Sequence, residues 1–286
     1  MPELPEVEAL TVELSRRMAG LRIDRCQLNS FSALKTVQPA LDEVVGQRVA
    51  GVERRGKFVC FHCGDLWLVC HLARGGWVRW HDVVAATALR PGRSPIALRV
   101  GLEDGSGFDI TEMGTEKHLA LWVVHAPEEV GPLAELGVDP LSTDFTVERF
   151  GAILRGTSAT LKTALTSQSL IAGVGNAYSD EALHRARLSP YKKTAALDAA
   201  EVARLHAAVV DVLTEGVDRS STLGLTELKG DKKQAMQVHG RTGEPCPVCG
   251  DTIRQVSFAT KSLQYCPTCQ TGGKPLADRR LSRLLK

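Results

Sequence analysis

No stretch of the 286-residue chain approaches the roughly 18 consecutive apolar residues that a membrane-spanning helix needs. The first fifteen residues carry four Glu and no apolar core, so no secretory signal is visible. Neither sign of charge dominates: 35 Lys/Arg stand against 33 Asp/Glu, and a net charge of +2 is too small to name a partner. The 26 Gly and 13 Pro fall without period, which excludes a collagen-like chain, and no internal repeat is evident. These absences leave a cytoplasmic protein as the default expectation. What is present is ordinary: 43% hydrophobic and 24% charged residues, enough for a real core. At roughly 150 residues per domain, the length fits about two domains.

The distribution of charge says more than its sum. From Glu227 to Lys286 there are eleven Lys/Arg against five Asp/Glu, a surplus of +6. That leaves 24 basic and 28 acidic residues, or −4, on residues 1–226. A basic C-terminal end on a near-neutral body fits either a polyanion partner or a solvated tail.

Eight cysteines fall into two groups. Cys246, Cys249, Cys266 and Cys269 form C-x2-C-x16-C-x2-C, the spacing of a four-thiolate zinc site. Each pair is a short turn able to aim two thiolates at one ion, and the stretch between them is long enough for a small hairpin. Four thiolates leave zinc no open position, so the expected role is structural. Disulfide pairing is disfavoured in a cytoplasmic setting. Cys26, Cys60, Cys63 and Cys70 differ. Cys60-Phe-His-Cys63 lies in an alternating stretch, where residues three apart point to opposite faces, so these read as small buried apolar side chains.

Residues 5–19 predict a helix, with Val7, Leu10, Leu14 and Met18 as its apolar stripe and Gly20 as its end. From about residue 44 to 125 the period becomes two. Residues 58–63 and 66–72 flank Gly64-Asp65 as one hairpin, 96–100 and 108–110 flank a Gly-rich turn as another, and 119–124 add a strand. This is an all-β layer behind one helix, expected as a sandwich. Residues 131–141 are turn-rich and read as a linker. Beyond them the helical period returns. Helical stretches at 161–170 and 177–186 flank the tight turn Ile171-Ala-Gly-Val-Gly-Asn176. A longer helix opens on a capping box at Asp198 and Glu201, with Val202, Leu205, Val209 and Leu213 as its stripe. The zinc segment comes last, before a tail of about 16 residues.

The unusual chemistry is at the start, Met1-Pro2-Glu3-Leu4-Pro5-Glu6. Without the initiator Met, Pro2 presents a secondary amine. An α-amino group titrates near pH 8, so a neutral fraction is available to attack an electrophilic carbon such as a sugar C1′. Glu3 is tethered beside it as a proton donor or acceptor. Glu6 sits where helix N–H groups favour its charge. The plainer alternative is a chain end followed by a helix start.

The heptapeptide Pro2-Glu3-Leu4-Pro5-Glu6-Val7-Glu8, then Arg54-Arg-Gly-Lys57, Leu170-Ile-Ala-Gly-Val-Gly-Asn-Ala-Tyr178 and the four-cysteine finger occur in that order. Together they resemble the formamidopyrimidine-DNA glycosylase / endonuclease VIII family, over residues 2 to about 270. The resemblance implies an α+β multidomain chain: an N-terminal β-sandwich with a leading helix (1–130), a helical helix-two-turns-helix domain (131–240), a zinc finger hairpin (241–270) and a basic tail (271–286). It implies Pro2 as the nucleophile forming a Schiff base with C1′, Glu3 protonating the sugar oxygen and serving β/δ-elimination, Glu6 in support, and Lys57 on the phosphate beside the lesion. His71, Arg74, Lys162, Asn176 and Lys261 match DNA-contacting positions. Gly173 and Gly175 can bring backbone N–H groups close to a phosphate. The implied cofactor is one structural Zn²⁺. The implied partner is double-stranded DNA containing damaged bases or abasic sites, bound by a monomer with no membrane involved, in a cytoplasmic, nucleoid-associated setting. Such enzymes flip the target nucleotide, and the gap is filled by an inserted side chain.

Three departures touch recognition. Arg74 stands where formamidopyrimidine-type members usually place an intercalating Met; its guanidinium can stack on bases but makes a different wedge. The loop that normally supplies an Arg-Phe pair reads Thr111-Glu-Met-Gly-Thr-Glu-Lys-His118, whose Glu112 and Glu116 would repel phosphates. The finger's phosphate-clamping Arg is Lys261, which lacks the bidentate fork. The stretch 224–240 is also short for a loop that caps 8-oxoguanine. The expectation is a glycosylase/AP lyase with weak 8-oxoguanine excision, favouring abasic sites or another lesion. The rival readings are a damaged-DNA-binding protein that turns over weakly or not at all, and a general nucleic-acid binder working through finger and tail.

Overall fold

The computed structural model describes residues 1–89, 94–225, 227–228, 235–258 and 262–277. The chain divides into two compact units, Met1–Glu135 with Arg219–Lys229, and Leu136–Asp218 with Gly230–Lys286.

The first unit opens with helix α1 (Leu4–Met18), whose predicted stripe Val7, Leu10, Leu14 and Met18 is fully buried. Gly20, at φ +84°, ends it as expected. Eight strands follow: β1 (Ile23–Leu28), β2 (Val49–Arg55), β3 (Phe58–Cys63), β4 (Leu66–His71), β5 (Gly76–His81), β6 (Ile96–Leu102), β7 (Gly107–Glu112) and β8 (Ala120–Val124). They form two antiparallel four-stranded sheets, ordered β1-β6-β7-β5 and β2-β3-β4-β8. The expected sandwich is therefore present. Alternation sends Val59, Phe61 and Cys63 of β3 and Leu68 and Cys70 of β4 into one core with Val100, Phe108 and Ile110 of the other sheet. Phe61 stacks on Phe108 across the two sheets, with centroids 5.1 Å apart.

The β3–β4 hairpin turns at Gly64 (φ +60°) and pairs Phe58 with His71 and Cys63 with Leu66, as its alternation predicts. Strands β1, β2 and β5 were not among the strands named from the pattern. Each mixes charged residues into its pattern, and the Arg25 guanidinium of β1 is occupied by the Val84 and Ala85 carbonyls. Burial pushes the thiols of Cys26, Cys60 and Cys63 up to about 12 and that of Cys70 higher still, which makes them inert core side chains.

The segment predicted as a linker contains a short helix, α2 (Gly131–Ala134). The second unit then runs α3 (Val147–Arg155), α4 (Leu161–Thr166), α5 (Asn176–Arg185) and α6 (Ala199–Ser221), followed by the hairpin β9 (Arg254–Ser257) and β10 (Ser262–Tyr265) and helix α7 (Pro267–Thr271). Helix α6 carries the predicted capping box: the Glu201 N–H donates to Asp198 Oδ1 at 2.8 Å and the Asp198 N–H to Glu201 Oε2 at 3.1 Å. Helix α3 was not foreseen, because its buried face is little more than Phe150 and Leu154. After α6 the chain returns to the first unit. There Leu225 and Leu228 join the sandwich core and the Trp77 indole donates to the Leu225 carbonyl at 3.2 Å.

Among the described residues no helix is long and apolar enough to cross a membrane.

Candidate functional site

The N-terminal cluster is built by the first turn of α1. Its leading N–H groups have no partner further back in the helix, so acceptors must come from side chains. Glu6 supplies one: the Glu3 N–H donates to Glu6 Oε2 at 2.8 Å. This folds the chain start back onto the helix. Pro2 is buried, and Glu3 and Glu6 are each only 3% exposed. A second link runs to the neighbouring sheet. Glu8 Oε2 accepts the Arg54 Nε–H at 2.5 Å, and the same guanidinium reaches the Gly56 carbonyl at 3.4 Å. Gly56 (φ +57°) makes the β2–β3 turn and sets Lys57 next to it, 7% exposed. Carboxylates and an ammonium in low-dielectric surroundings interact more strongly than in water.

His71 closes β4 opposite Phe58, with ring centroids 4.8 Å apart. Burial, and secondly the Lys57 ammonium, push its pKa down to about 4. At neutral pH it is an uncharged imidazole that donates or accepts without adding positive charge. Arg74 follows in the β4–β5 turn and is exposed, after Ala73, whose φ of +50° is costly for a residue with a Cβ.

In the second unit a buried carboxylate organises the residues expected at DNA. The Lys162 ammonium donates to Asp180 Oδ1 (2.6 Å), Ser179 Oγ (2.8 Å) and the Asn176 carbonyl (2.7 Å). Asp180 Oδ2 takes His239 Nδ1 at 2.7 Å and the Gln264 N–H at 3.1 Å. Next to it, Glu181 accepts the N–H groups of Gln237, Val238 and His239; burial nonetheless holds its pKa above the usual carboxylate range. The Asn176 side-chain amide donates to the Ser262 carbonyl of β10 at 2.6 Å.

The glycine turn differs from expectation in one respect. Gly173, at φ +82°, gives its N–H to Gln168 Oε1 at 3.0 Å, and Gln168 Nε2 donates to the Val174 carbonyl at 2.8 Å. Its N–H is therefore spent on the turn itself. Lys261 lies outside the described residues, as does the tail beyond Ala277.

The four finger cysteines converge as their spacing predicts. All four sulfurs lie within 4.8 Å of one another, with Cys249–Cys266 at 3.3 Å and Cys246–Cys269 at 3.9 Å. Zinc–sulfur bonds of about 2.3 Å in a tetrahedron put sulfurs about 3.8 Å apart, so the donor set fits one structural Zn²⁺. Gly250 (φ +78°) turns the first pair and Cys266 caps α7 for the second. His184 Nε2 lies 3.3 Å from Cys246 Sγ, a second-layer contact that orients the ligand. Among the described residues this is the one cluster of metal-ligating side chains.

Sequence reasoning missed Gln168, Asp180, Glu181, His184 and His239. Adjacent acids on a helix look like a solvated face, and no spacing rule announces a carboxylate that serves three elements.

A sandwich led by a buried Pro-Glu start, followed by a helical unit and a four-cysteine hairpin, is the layout of a zinc-finger DNA repair glycosylase. The chain matches the formamidopyrimidine-DNA glycosylase N-terminal domain over residues 1–113, the formamidopyrimidine-DNA glycosylase H2TH domain over 136–226, and the zinc finger found in FPG and IleRS over 243–272. It is 36% identical over 291 residues to the formamidopyrimidine-DNA glycosylase of Symbiobacterium thermophilum, covering 98% of this chain and 93% of that one. An uncharacterized formamidopyrimidine-DNA glycosylase-like protein of Mycobacterium tuberculosis is 54% identical over 151 residues, 53% of this chain and 94% of that one. Among solved structures, Lactococcus lactis formamidopyrimidine-DNA glycosylase bound non-covalently to DNA containing an AP site superposes with a TM-score of 0.81 at 29% identity, covering 94% and 99% of the two chains. The chain belongs to the formamidopyrimidine-DNA glycosylase family.

Proposed function

We propose that the protein is a bifunctional DNA glycosylase and AP lyase acting on damaged or abasic duplex DNA. After removal of Met1, the Pro2 nitrogen attacks C1′ of the flipped nucleotide. The C1′–N bond to the base breaks, the base leaves with a proton, and opening of the sugar ring gives an iminium between Pro2 and C1′. Glu3 donates the proton to the ring oxygen. Loss of a C2′ proton then expels the 3′ phosphate, and a second elimination expels the 5′ phosphate. Glu6 holds the turn that presents Glu3. Lys57 faces the phosphate beside the lesion, and His71, Arg74, Lys162, Asn176 and Lys261 serve the flanking backbone and stack. The observation that carries this reading is the pair of carboxylates, Glu3 and Glu6, each 3% exposed and tied together at a helix start directly beside Pro2, since surface acids at a chain start are ordinarily solvated.

Similar proteins have been solved with an AP site and with a Fapy-dG lesion in their DNA. For this chain 8-oxoguanine is the disfavoured substrate, because residues 111–118 hold neither Arg nor Phe where such a pair would face the orphaned base, and Glu116 is an exposed acid on that loop. The same loop favours, as a second reading, a protein that binds damaged DNA and turns over weakly. Borohydride trapping separates the two. The expected result is a covalent adduct on abasic duplex, a weaker one on 8-oxoguanine, and none with Pro2→Gly. Retention of Met1 in the mature protein by mass spectrometry, or strong 8-oxoguanine preference, would overturn the proposal in its mechanism or its specificity respectively.

A further inference from the structure

Helix α7 is the last element among the described residues, yet the chain stays bound to the fold through Ala277. Gly272 (φ +60°) and Gly273 (φ +81°) turn it back. The Lys274 carbonyl takes the Thr271 hydroxyl at 2.5 Å. The Leu276 N–H donates to the Tyr265 hydroxyl at 2.7 Å, and the Tyr191 hydroxyl donates to the Ala277 carbonyl at 3.3 Å. The Leu276 side chain packs with Tyr191 against Val256, Leu263 and Tyr265. Ordering these residues costs conformational entropy, and a segment without a task is ordinarily left loose.

The place of this mooring decides its use. Tyr191 stands between Pro190 and Lys192, whose carbonyls take the N–H groups of Lys162 (3.1 Å) and Leu161 (2.9 Å) at the start of α4. Tyr265 follows Gln264, whose N–H donates to the Asp180 carboxylate that holds Lys162. It also ends β10, the strand whose Ser262 carbonyl takes the Asn176 amide. Both tyrosines therefore sit on the backbone that positions Lys162 and Asn176, two residues expected at DNA. The sequence leaving this point is strongly of one sign. From Lys274 onward, Lys274, Arg279, Arg280, Arg283 and Lys286 stand against Asp278 alone. Lys274 is exposed, and so is Lys193, two residues on from Tyr191. Residues 278–286 reach at most about 30 Å when extended. Duplex DNA carries one charge per about 1.7 Å of axis, so that reach covers many phosphates.

We propose, with the choice of DNA resting on the proposed function, that Lys274 and the cations of residues 278–286 form a phosphate-binding arm. It is moored by Tyr191, Tyr265 and Leu276 beside Lys162 and Asn176, and it grips duplex backbone outside the lesion. Mooring makes the arm's contact intramolecular once the rest of the protein is bound, so a few cations yield more affinity than they would on a loose chain. Phosphates carry no information about a lesion, so the arm strengthens binding to damaged and intact duplex alike.

The test uses the full-length zinc-loaded protein, a truncation after Ala277, and the combined variant Arg279→Gln, Arg280→Gln, Arg283→Gln. Binding to a duplex with a tetrahydrofuran abasic analogue, and to its intact counterpart, is measured against salt. Each neutralised phosphate contributes about 0.9 to the slope of log affinity on log salt, so both altered proteins are expected to show a slope shallower by about 3. Their loss of affinity at low salt should agree between the two duplexes to within about twofold. A further variant, Tyr191→Phe with Leu276→Ser, keeps every charge and releases the mooring. It is expected to lose about fivefold in affinity, with a slope within about 1 of the parent. A slope that survives truncation and glutamine substitution, or a loss confined to the abasic duplex, would overturn the inference. So would parental affinity in the unmoored variant. Vesicles of equal phosphatidylglycerol and phosphatidylcholine complete the comparison. A truncation that no longer binds them but keeps its DNA slope would assign the cations to a lipid surface instead. A parent that binds with the steep slope but never traps counts against the Pro2 mechanism and leaves the arm standing.

Discussion

The two units put their polar residues to work in opposite ways. In the first, Glu3, Glu6 and Lys57 are buried at a helix start and one tight turn, outside the apolar core of the sandwich. In the second, residues expected at DNA are also the ties that hold the scaffold: Lys162 on Asp180, Asn176 on β10, the Gly173 N–H on Gln168. A substitution in the first cluster should therefore change reaction more than stability. One in the second should change both, so lost DNA binding there does not by itself identify a phosphate contact.

The largest effect tests the outer limit of that contrast. Structural zinc sites contribute about 10–16 kcal/mol of apparent binding free energy, most of it folding energy. Cys266→Ala, or zinc removal by chelator, is expected to unfold the finger and abolish DNA binding while the β-sandwich keeps its circular dichroism and near-UV spectra. Burial raises the Cys266 thiol to about 11 and raises Cys269 further, so zinc must displace protons there and retention should weaken as pH falls. Zinc content measured against pH, with unfolding of the two units followed separately, checks both. Simultaneous loss of the sandwich would break the contrast.

Next in size is a matched pair. Asp180→Ala leaves Lys162 without its carboxylate and β10 without an acceptor, and removing one partner of a buried ion pair costs about 3–5 kcal/mol. Lys57→Ala removes a buried side chain from a turn and is expected to cost about 1–2 kcal/mol, less than Asp180→Ala. In turnover the order should reverse: Lys57→Ala slows borohydride trapping beyond its effect on binding, and Asp180→Ala lowers trapping only in proportion to binding. Denaturant melts and saturating-DNA trapping rates on both variants decide it. Equal losses in stability would remove the distinction.

The fold was legible wherever one periodicity ran undisturbed. The stripe Val7, Leu10, Leu14 and Met18, the β3–β4 hairpin and the Asp198–Glu201 box each depend on neighbours within a few residues, and local pattern reports local structure. Strand β1 was hidden because Asp24, Arg25 and Gln27 look like loop residues until the Val84 and Ala85 carbonyls meet Arg25. The cysteine quartet was readable because metal geometry imposes spacing on sequence. Glu112, Gln168 and Asp180 were not, because their partners are fixed by tertiary folding. A buried carboxylate serving backbone N–H groups looks in sequence like any surface acid, which is why Glu112 read as a phosphate-repelling charge and proves to be a loop clamp.

The smallest effect sharpens the contrast inside the first unit. His71 has its pKa lowered to about 4 from an ordinary value near 6.5. Above about pH 6.5 it is neutral folded or unfolded and contributes no pH dependence. As pH falls from 6.5 toward 4, the unfolded chain takes up a proton that the folded site refuses, so stability drops through that window and levels off below it. At 1.36 kcal/mol per pKa unit the full loss is on the order of 3 kcal/mol. Carboxylates titrate at the lower edge of the same range, so the informative quantity is a difference between variants. His71→Gln is expected to flatten the parent's decline between pH 6.5 and 4.5 in urea midpoints. Lys57→Met, by removing the second cause of the shift, should flatten it only in part, because burial remains. If Lys57→Met flattened it as fully as His71→Gln, the ammonium and not burial would dominate. His71 would then gain charge near neutral pH in that variant, and DNA binding would show a steeper salt dependence there than Lys57→Ala alone can explain.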